Sequence, residues 1–193
     1  SVSECLSSAF NVRTRAHEYG GGAYAVFNGV IYFVNFKDQR VYRQKAGGVP
    51  EALTPNEGYH YADFALDRAR QRLICVREDF TGGGEAVNAI VALPLEGGSN
   101  GEVLVAGADF FSTPRLSPDG KRLCWLSWNH PNMPWDGTEL WAADLALKGA
   151  VENRAQVAGG KDVSIFQPEW SPGSALHFVS DQSGWWNLYR LNG

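Results

Sequence analysis

The string Gly97-Gly98-Ser99-Asn100-Gly101 formally fits G-x-S-x-G, the pattern that exposes a serine nucleophile for acyl transfer. That chemistry needs a strand entering and a helix leaving the serine. Here Glu102 to Ala106 is another strand-type run, so the Gly-Ser-Asn-Gly cluster is turn chemistry between two strands. Two glycine triplets, Gly20-Gly21-Gly22 and Gly82-Gly83-Gly84, could cradle a phosphate only at a helix N-terminus, and no helix follows either of them. The histidines His17, His60, His130 and His177 show no HExxH or other ligand spacing, and no Cys/His cluster accompanies them. Cys5, Cys75 and Cys124 form no CxxC pair and leave an odd thiol however they are paired, which suits a reducing, cytoplasmic compartment. Cys75 and Cys124 lie in equivalent apolar runs, where buried free thiols are the simplest account. No catalytic residue, metal or cofactor is therefore expected within the chain.

The elements that would position any site are short strands. Twenty-two Gly and 9 Pro among 193 residues leave little space for long helices, and 7 Trp, 7 Tyr and 10 Phe against one Met favour sheet packing. A chain of this length can bury roughly 70% of its unfolded surface, so a packed core is expected. The net charge of −4, with no basic run longer than two residues, argues against nucleic acid. The longest apolar stretches, such as Val30 to Val34 and Ala89 to Leu95, are too short to span a membrane. The chain starts at Ser1 without Met or a leader and stops just after a strand-like run, as an excised piece would.

Internal repetition organises those strands. Val30 to Val34, Arg72 to Val76, Arg122 to Leu126 and Ala175 to Val179 are β-type runs spaced by 42, 50 and 53 residues. A second register, Val41 to Gln44, Ile90 to Leu93, Leu140 to Ala143 and Leu188 to Leu191, recurs at 49, 50 and 48. Gly22 to Val26, Tyr61 to Leu66, Thr113 to Leu116 and Gln167 to Trp170 precede the first runs, and Pro50 to Leu53, Glu102 to Ala106 and Ala155 to Ala158 complete three of the four units. Four strands per unit, repeated at 40 to 50 residues, are the signature of β-propeller blades. An all-β sandwich gives short strands too, but no such self-similarity. Between Tyr59 and Thr81, Leu66, Ala69, Leu73 and Val76 fall at helical spacing, yet the repeat places two strands and a turn there.

The expected fold is thus all-β, about four blades of four antiparallel strands, as a fragment of a larger propeller. The units are a lead-in strand in residues 1–15, blades in 16–56, 57–109 and 110–160, and an incomplete blade in 161–193. Alternatively the chain closes as four blades, with Phe10 to Thr14 supplying the missing outer strand. In either case one rim, formed by the one-to-two and three-to-four turns, is plain. The other carries Arg15-Ala16-His17-Glu18-Tyr19, Tyr59-His60-Tyr61, Asp109-Phe110-Phe111, Trp128 to Asp136 and Gly184-Trp185-Trp186-Asn187. Aromatic and polar side chains on such a rim mark a contact surface, unless the rings pack between blades.

Several of these strings carry a resemblance. His17-Glu18-Tyr19-Gly20-Gly21-Gly22-Ala23-Tyr24, Ser117-Pro118-Asp119-Gly120-Lys121-Arg122-Leu123, the long string from Asn129 to Trp141, Gln167-Pro168-Glu169-Trp170-Ser171-Pro172 and Gly184-Trp185-Trp186-Asn187-Leu188-Tyr189 resemble the N-terminal β-propeller of bacterial prolyl-oligopeptidase-type (S9) serine peptidases, on the dipeptidyl and acylaminoacyl peptidase side. The likeness runs from about Asn11 to Tyr189, and Pro172-Gly173-Ser174 departs from it by replacing a Pro-Asp-Gly turn. It implies a seven-bladed propeller followed by a C-terminal α/β-hydrolase domain of the same polypeptide, absent from these residues. It also implies a propeller that admits short peptides to the hydrolase and excludes folded proteins. On that basis Arg15, His17, Glu18 and Tyr19 are candidate substrate contacts, and His130, Trp135, Asp136, Trp185 and Trp186 candidate domain-interface residues. The competing expectation is a stand-alone TolB-like propeller that binds protein through the same rim.

Overall fold

Fifteen strands and no helix make up residues 1–18 and 21–191, which the computed structural model describes. Blade 1 contains β1 (Tyr24–Phe27), β2 (Val30–Val34), β3 (Val41–Lys45) and β4 (Glu51–Ala52). Blade 2 contains β5 (Tyr59–Asp67), β6 (Arg72–Asp79), β7 (Val87–Pro94) and β8 (Glu102–Ala106). Blade 3 contains β9 (Phe110–Leu116), β10 (Arg122–Trp128), β11 (Glu139–Leu145) and β12 (Val151–Gly159), and blade 4 contains β13 (Ile165–Trp170), β14 (Leu176–Ser180) and β15 (Asn187–Arg190). Each blade is a separate antiparallel meander in chain order, with four strands in the first three and three in the last. First strands pack on one another from blade to blade, β1 on β5, β5 on β9 and β9 on β13, which is the arrangement of a partial β-propeller.

Period-two alternation sends successive residues of one strand into two different cores. On β6, Leu73 and Cys75 face blade 1 with Tyr32, Val34 and Val41, while Ile74 and Val76 face blade 3 with Phe111, Leu123 and Trp125. On β10, Leu123 and Trp125 face back to blade 2, and Cys124 and Leu126 face forward to Ile165, Leu176 and Phe178 of blade 4. Both faces of the middle blades are thus buried, which is why the stretch from Tyr59 to Thr81 has no polar face to betray its strands. Burial raises the Cys75 thiol and pushes that of Cys124 up to about 12, so both are packing groups with little thiolate.

The lead-in segment does not complete blade 4. Val12 bridges to Asn35, the Arg13 N–H donates to the Val34 carbonyl and the Phe36 N–H to that of Asn11, which lays the segment along blade 1. The physical reason is apolar. Phe10 sets its ring edge on Phe33 and Tyr42, at 5.7 and 5.2 Å between centroids, and so covers an outward face that blade 1 would otherwise expose. Blade 4 keeps its outward face open, with the cross-strand row Phe166, Val179 and Leu188 on it.

Candidate functional site

The two rims are built on opposite plans. At the one-to-two end, Asp67 is 1% exposed and accepts from Arg72 Nε at 2.9 Å and Arg70 at 3.1 Å. The same guanidinium groups reach blade 3, where Arg70 donates to the carbonyls of Gly120, Ala146 and Leu147 and Arg72 to that of Gly149. Ser117-Pro118-Asp119-Gly120 closes on itself through Asp119, which accepts from the Ser117 hydroxyl and the Lys121 N–H. In blade 4 Ser174 takes the left-handed conformation that Gly120 holds in blade 3, at φ 62° against 68°, so the changed turn keeps its shape.

The opposite rim begins with a strained loop. His17 and Glu18 both have positive φ, 56° and 62°, a conformation that costs free energy in non-glycine residues. The Thr14 hydroxyl donates to the Tyr61 carbonyl and accepts from the Ala16 N–H, and the Arg15 N–H donates to Gln39 Oε1. His17, 8% exposed, lies against the Trp128 ring at 5.7 Å, and Phe110 stacks on Trp128 at 5.4 Å. His130 packs edge-on to Phe110 and places Nδ1 3.1 Å from Asp109 Oδ2. The His130 backbone N–H, donating at 2.9 Å, is the main cause holding the Asp109 carboxyl below its ordinary value.

Between these rings and blade 4 opens a cavity of about 650 Å³. Trp128, Trp135, Trp186 and Phe166 supply its apolar wall, while His17, Asp63, Thr113 and Ser164 contribute polar groups. Three of the four rings are half or more exposed: Trp135 62%, Phe166 62% and Trp186 50%. Among the described residues no group of His, Cys, Asp and Glu is arranged to hold a metal ion.

The candidate residues distribute unevenly around this cavity. His17, Trp135 and Trp186 line it. Glu18 stands beside His17 with an exposed side chain that meets no partner among the described residues. Arg15 is turned aside, its guanidinium 4.5 Å over the ring of Phe36. Asp136 caps its own turn by accepting from the Met133 N–H, and Trp185 is 70% exposed outside the cavity lining. Tyr19 lies outside the described residues. Sequence reading missed Asp63, Thr113 and Gln167, which occupy equivalent places in β5, β9 and β13 with φ of 60°, 53° and 51°. Their common signal was the repeat itself, since each marks a bulge or irregular register where an inner strand bends.

No family model matches the chain, and no curated protein does. Among solved structures, a puromycin hydrolase complexed with PGG matches at 36% identity and a TM-score of 0.89, over 97% of this chain and 32% of that one. A puromycin-hydrolysing peptidase of Mycobacterium tuberculosis matches at 36% identity and a TM-score of 0.88, over 99% of this chain and 32% of its own. Prolyl oligopeptidase B from Galerina marginata, 10% identical with a TM-score of 0.66 over 89% of this chain and 27% of that one, shares the fold. The chain spans about a third of the length of the first two peptidases. In fold over nearly its whole length, and in 36% of its residues against the puromycin hydrolases, it matches the N-terminal propeller portion of prolyl-oligopeptidase-family (S9) peptidases.

Proposed function

We propose that this chain is the non-catalytic propeller portion of a serine peptidase acting on short peptides, and that the rim around Trp128, Trp135 and Trp186 docks the hydrolase domain. The observation that carries this reading is the cavity of about 650 Å³ on that rim, where Trp135 and Trp186 are left half or more exposed beside the buried Trp128. Rings so placed cost free energy in water and gain it under a partner surface. A hydrolase seated there would close the cavity from above and leave access only to chains thin enough to enter, which is how the propeller would gate substrate.

Glu18 then meets the amino group of a bound peptide. Its carboxylate is exposed, beside the cavity, and a charge-assisted hydrogen bond needs only that the ligand bring the cation. Arg15 is the candidate for a substrate carboxyl or carbonyl, and must leave the Phe36 ring to serve. In the full-length polypeptide, Glu18→Gln is expected to raise KM about tenfold for peptides with a free amino terminus, as befits a bond to a charged group. Acylated peptides should be unaffected. Unchanged KM and kcat for free-amino peptides would remove Glu18 from the site.

A further inference from the structure

The loop that carries Glu18 is fixed by groups outside itself, and two of them are carboxylates of blade 2. Glu78, on β6 and 4% exposed, accepts from the His17 N–H through Oε1 at 2.6 Å, while its Oε2 lies 3.4 Å from His60 Nδ1. Asp63, on β5, accepts from the Gly22 N–H through Oδ1 at 2.7 Å and from the Thr113 N–H through Oδ2 at 3.0 Å. The Asp63 backbone N–H also donates to the Gly22 carbonyl at 2.9 Å. One carboxylate thus ties the inner strands of blades 2 and 3 to the end of the loop, and the other ties its strained middle to β6.

Both contacts demand what is found there. A Cβ on Gly22 would stand 2.7 Å from Asp63 Oδ1, so a side chain there would push the carboxylate off its bond to the loop. Two consecutive non-glycine residues at positive φ persist only where surrounding bonds over-determine them, and the bond from the His17 N–H to Glu78 falls on the first of the pair. An amide at position 63 would offer one acceptor oxygen where N–H groups of the loop and of β9 each meet their own oxygen, so only a carboxylate satisfies both.

We propose that Glu78 and Asp63 are positioning residues for Glu18: they hold the backbone at His17 and at Gly22, on either side of it, and so present Glu18 beside the cavity, so that blade 2 sets how firmly a peptide amino terminus is bound. This rests on the substrate reading of Glu18 given above. It adds to that reading a second tier of residues that act through the loop, Glu78 from outside the cavity lining and Asp63 from its wall.

The test uses the full-length polypeptide with Glu78→Ala, Glu78→Gln and Asp63→Asn, read by hydrogen exchange at the His17 and Gly22 amides and by KM and kcat on free-amino and acylated peptides. Glu78→Ala is expected to speed exchange at His17 tenfold or more and to raise KM about tenfold for free-amino peptides, with kcat unchanged. Glu78→Gln, which keeps one acceptor oxygen, should restore both. Asp63→Asn, nearly isosteric, should speed exchange at Gly22 without unfolding the blades, which covers the case in which Glu78→Ala fails to fold. In a Glu18→Gln background, Glu78→Ala should raise KM no further. Unchanged exchange at His17 and Gly22 would overturn the proposal, as would a KM effect of Glu78→Ala that persists in full without Glu18. Failure of the substrate reading looks different: Glu18→Gln alone leaves KM unchanged while its loop amides stay protected.

Discussion

Asp67 and Glu18 are both carboxylates in turns at a blade end, yet one is sealed and the other open. Asp67 is 1% exposed and meets two guanidinium groups that themselves reach four carbonyls of blade 3. Glu18 is exposed on a strained turn and meets no partner among the described residues. The same contrast holds for their neighbours, since the closed rim satisfies its polar groups internally whereas the open rim presents Trp135, Trp185 and Trp186 to solvent. At the closed end the polar groups hold blade 2 to blade 3. The other is then free to carry groups whose partners come from outside.

The sharpest way to break this contrast is at Asp67. Replacing it with Ala leaves Arg70 and Arg72 without their counter-ion in a buried place, and a loss of about 3–5 kcal/mol is expected in urea unfolding. Next is Gly149, whose φ is 93° and whose added Cβ would run into the Arg72 guanidinium. Gly149→Ala should cost about 1–3 kcal/mol, and less than that in an Arg72→Ala background, which removes the clash with that guanidinium and leaves the one with Arg70 Cδ and the positive φ.

A smaller effect is expected on the open rim, at Asp109. Its folded value lies below the ordinary 3.8, so its contribution is fully present above that value and is lost as pH falls through the lowered one. The group is half exposed and solvent screens it. Because the His130 backbone N–H is the main cause, His130→Ala should leave the acid-unfolding midpoint nearly in place, whereas Asp109→Asn should flatten the pH dependence below about pH 4. The least effect on stability belongs to Trp135→Ala, within about 0.5 kcal/mol by thermal unfolding, because the ring touches solvent on much of its surface. If the rim docks a hydrolase, the same variant should loosen the two domains to limited proteolysis. A large loss of stability at Trp135 would mean that the open rim is core after all.

Strands were legible because each blade repeats one hydrophobic pattern, and β2 and β8 fall on the residues that the pattern marks. The turn chemistry was legible too, down to the place of Ser174. What sequence could not supply were pairings across blades. Asp67 reads as an ordinary turn residue and Arg72 as the start of a strand until Gly149, 77 positions from Arg72, is brought beside them. Glu78 reads as an outward charge in a strand, and only the fold delivers the His17 N–H, 61 positions away, to its carboxylate. Phe10 to Thr14 alternates convincingly as a strand, but alternation does not name a partner, and the Phe33 and Tyr42 rings that it covers on blade 1 decided where it lies.

The central claim, that the open rim exists to meet a hydrolase domain and its peptide, is tested most directly by reading the open frame on both sides of this segment. A strand, a G-x-S-x-G elbow and a helix are expected downstream, followed by an Asp and a His that complete a triad. A frame that stops near residue 193, or runs on without such an elbow, would contradict the claim and leave a propeller whose tryptophan-walled cavity serves some other partner.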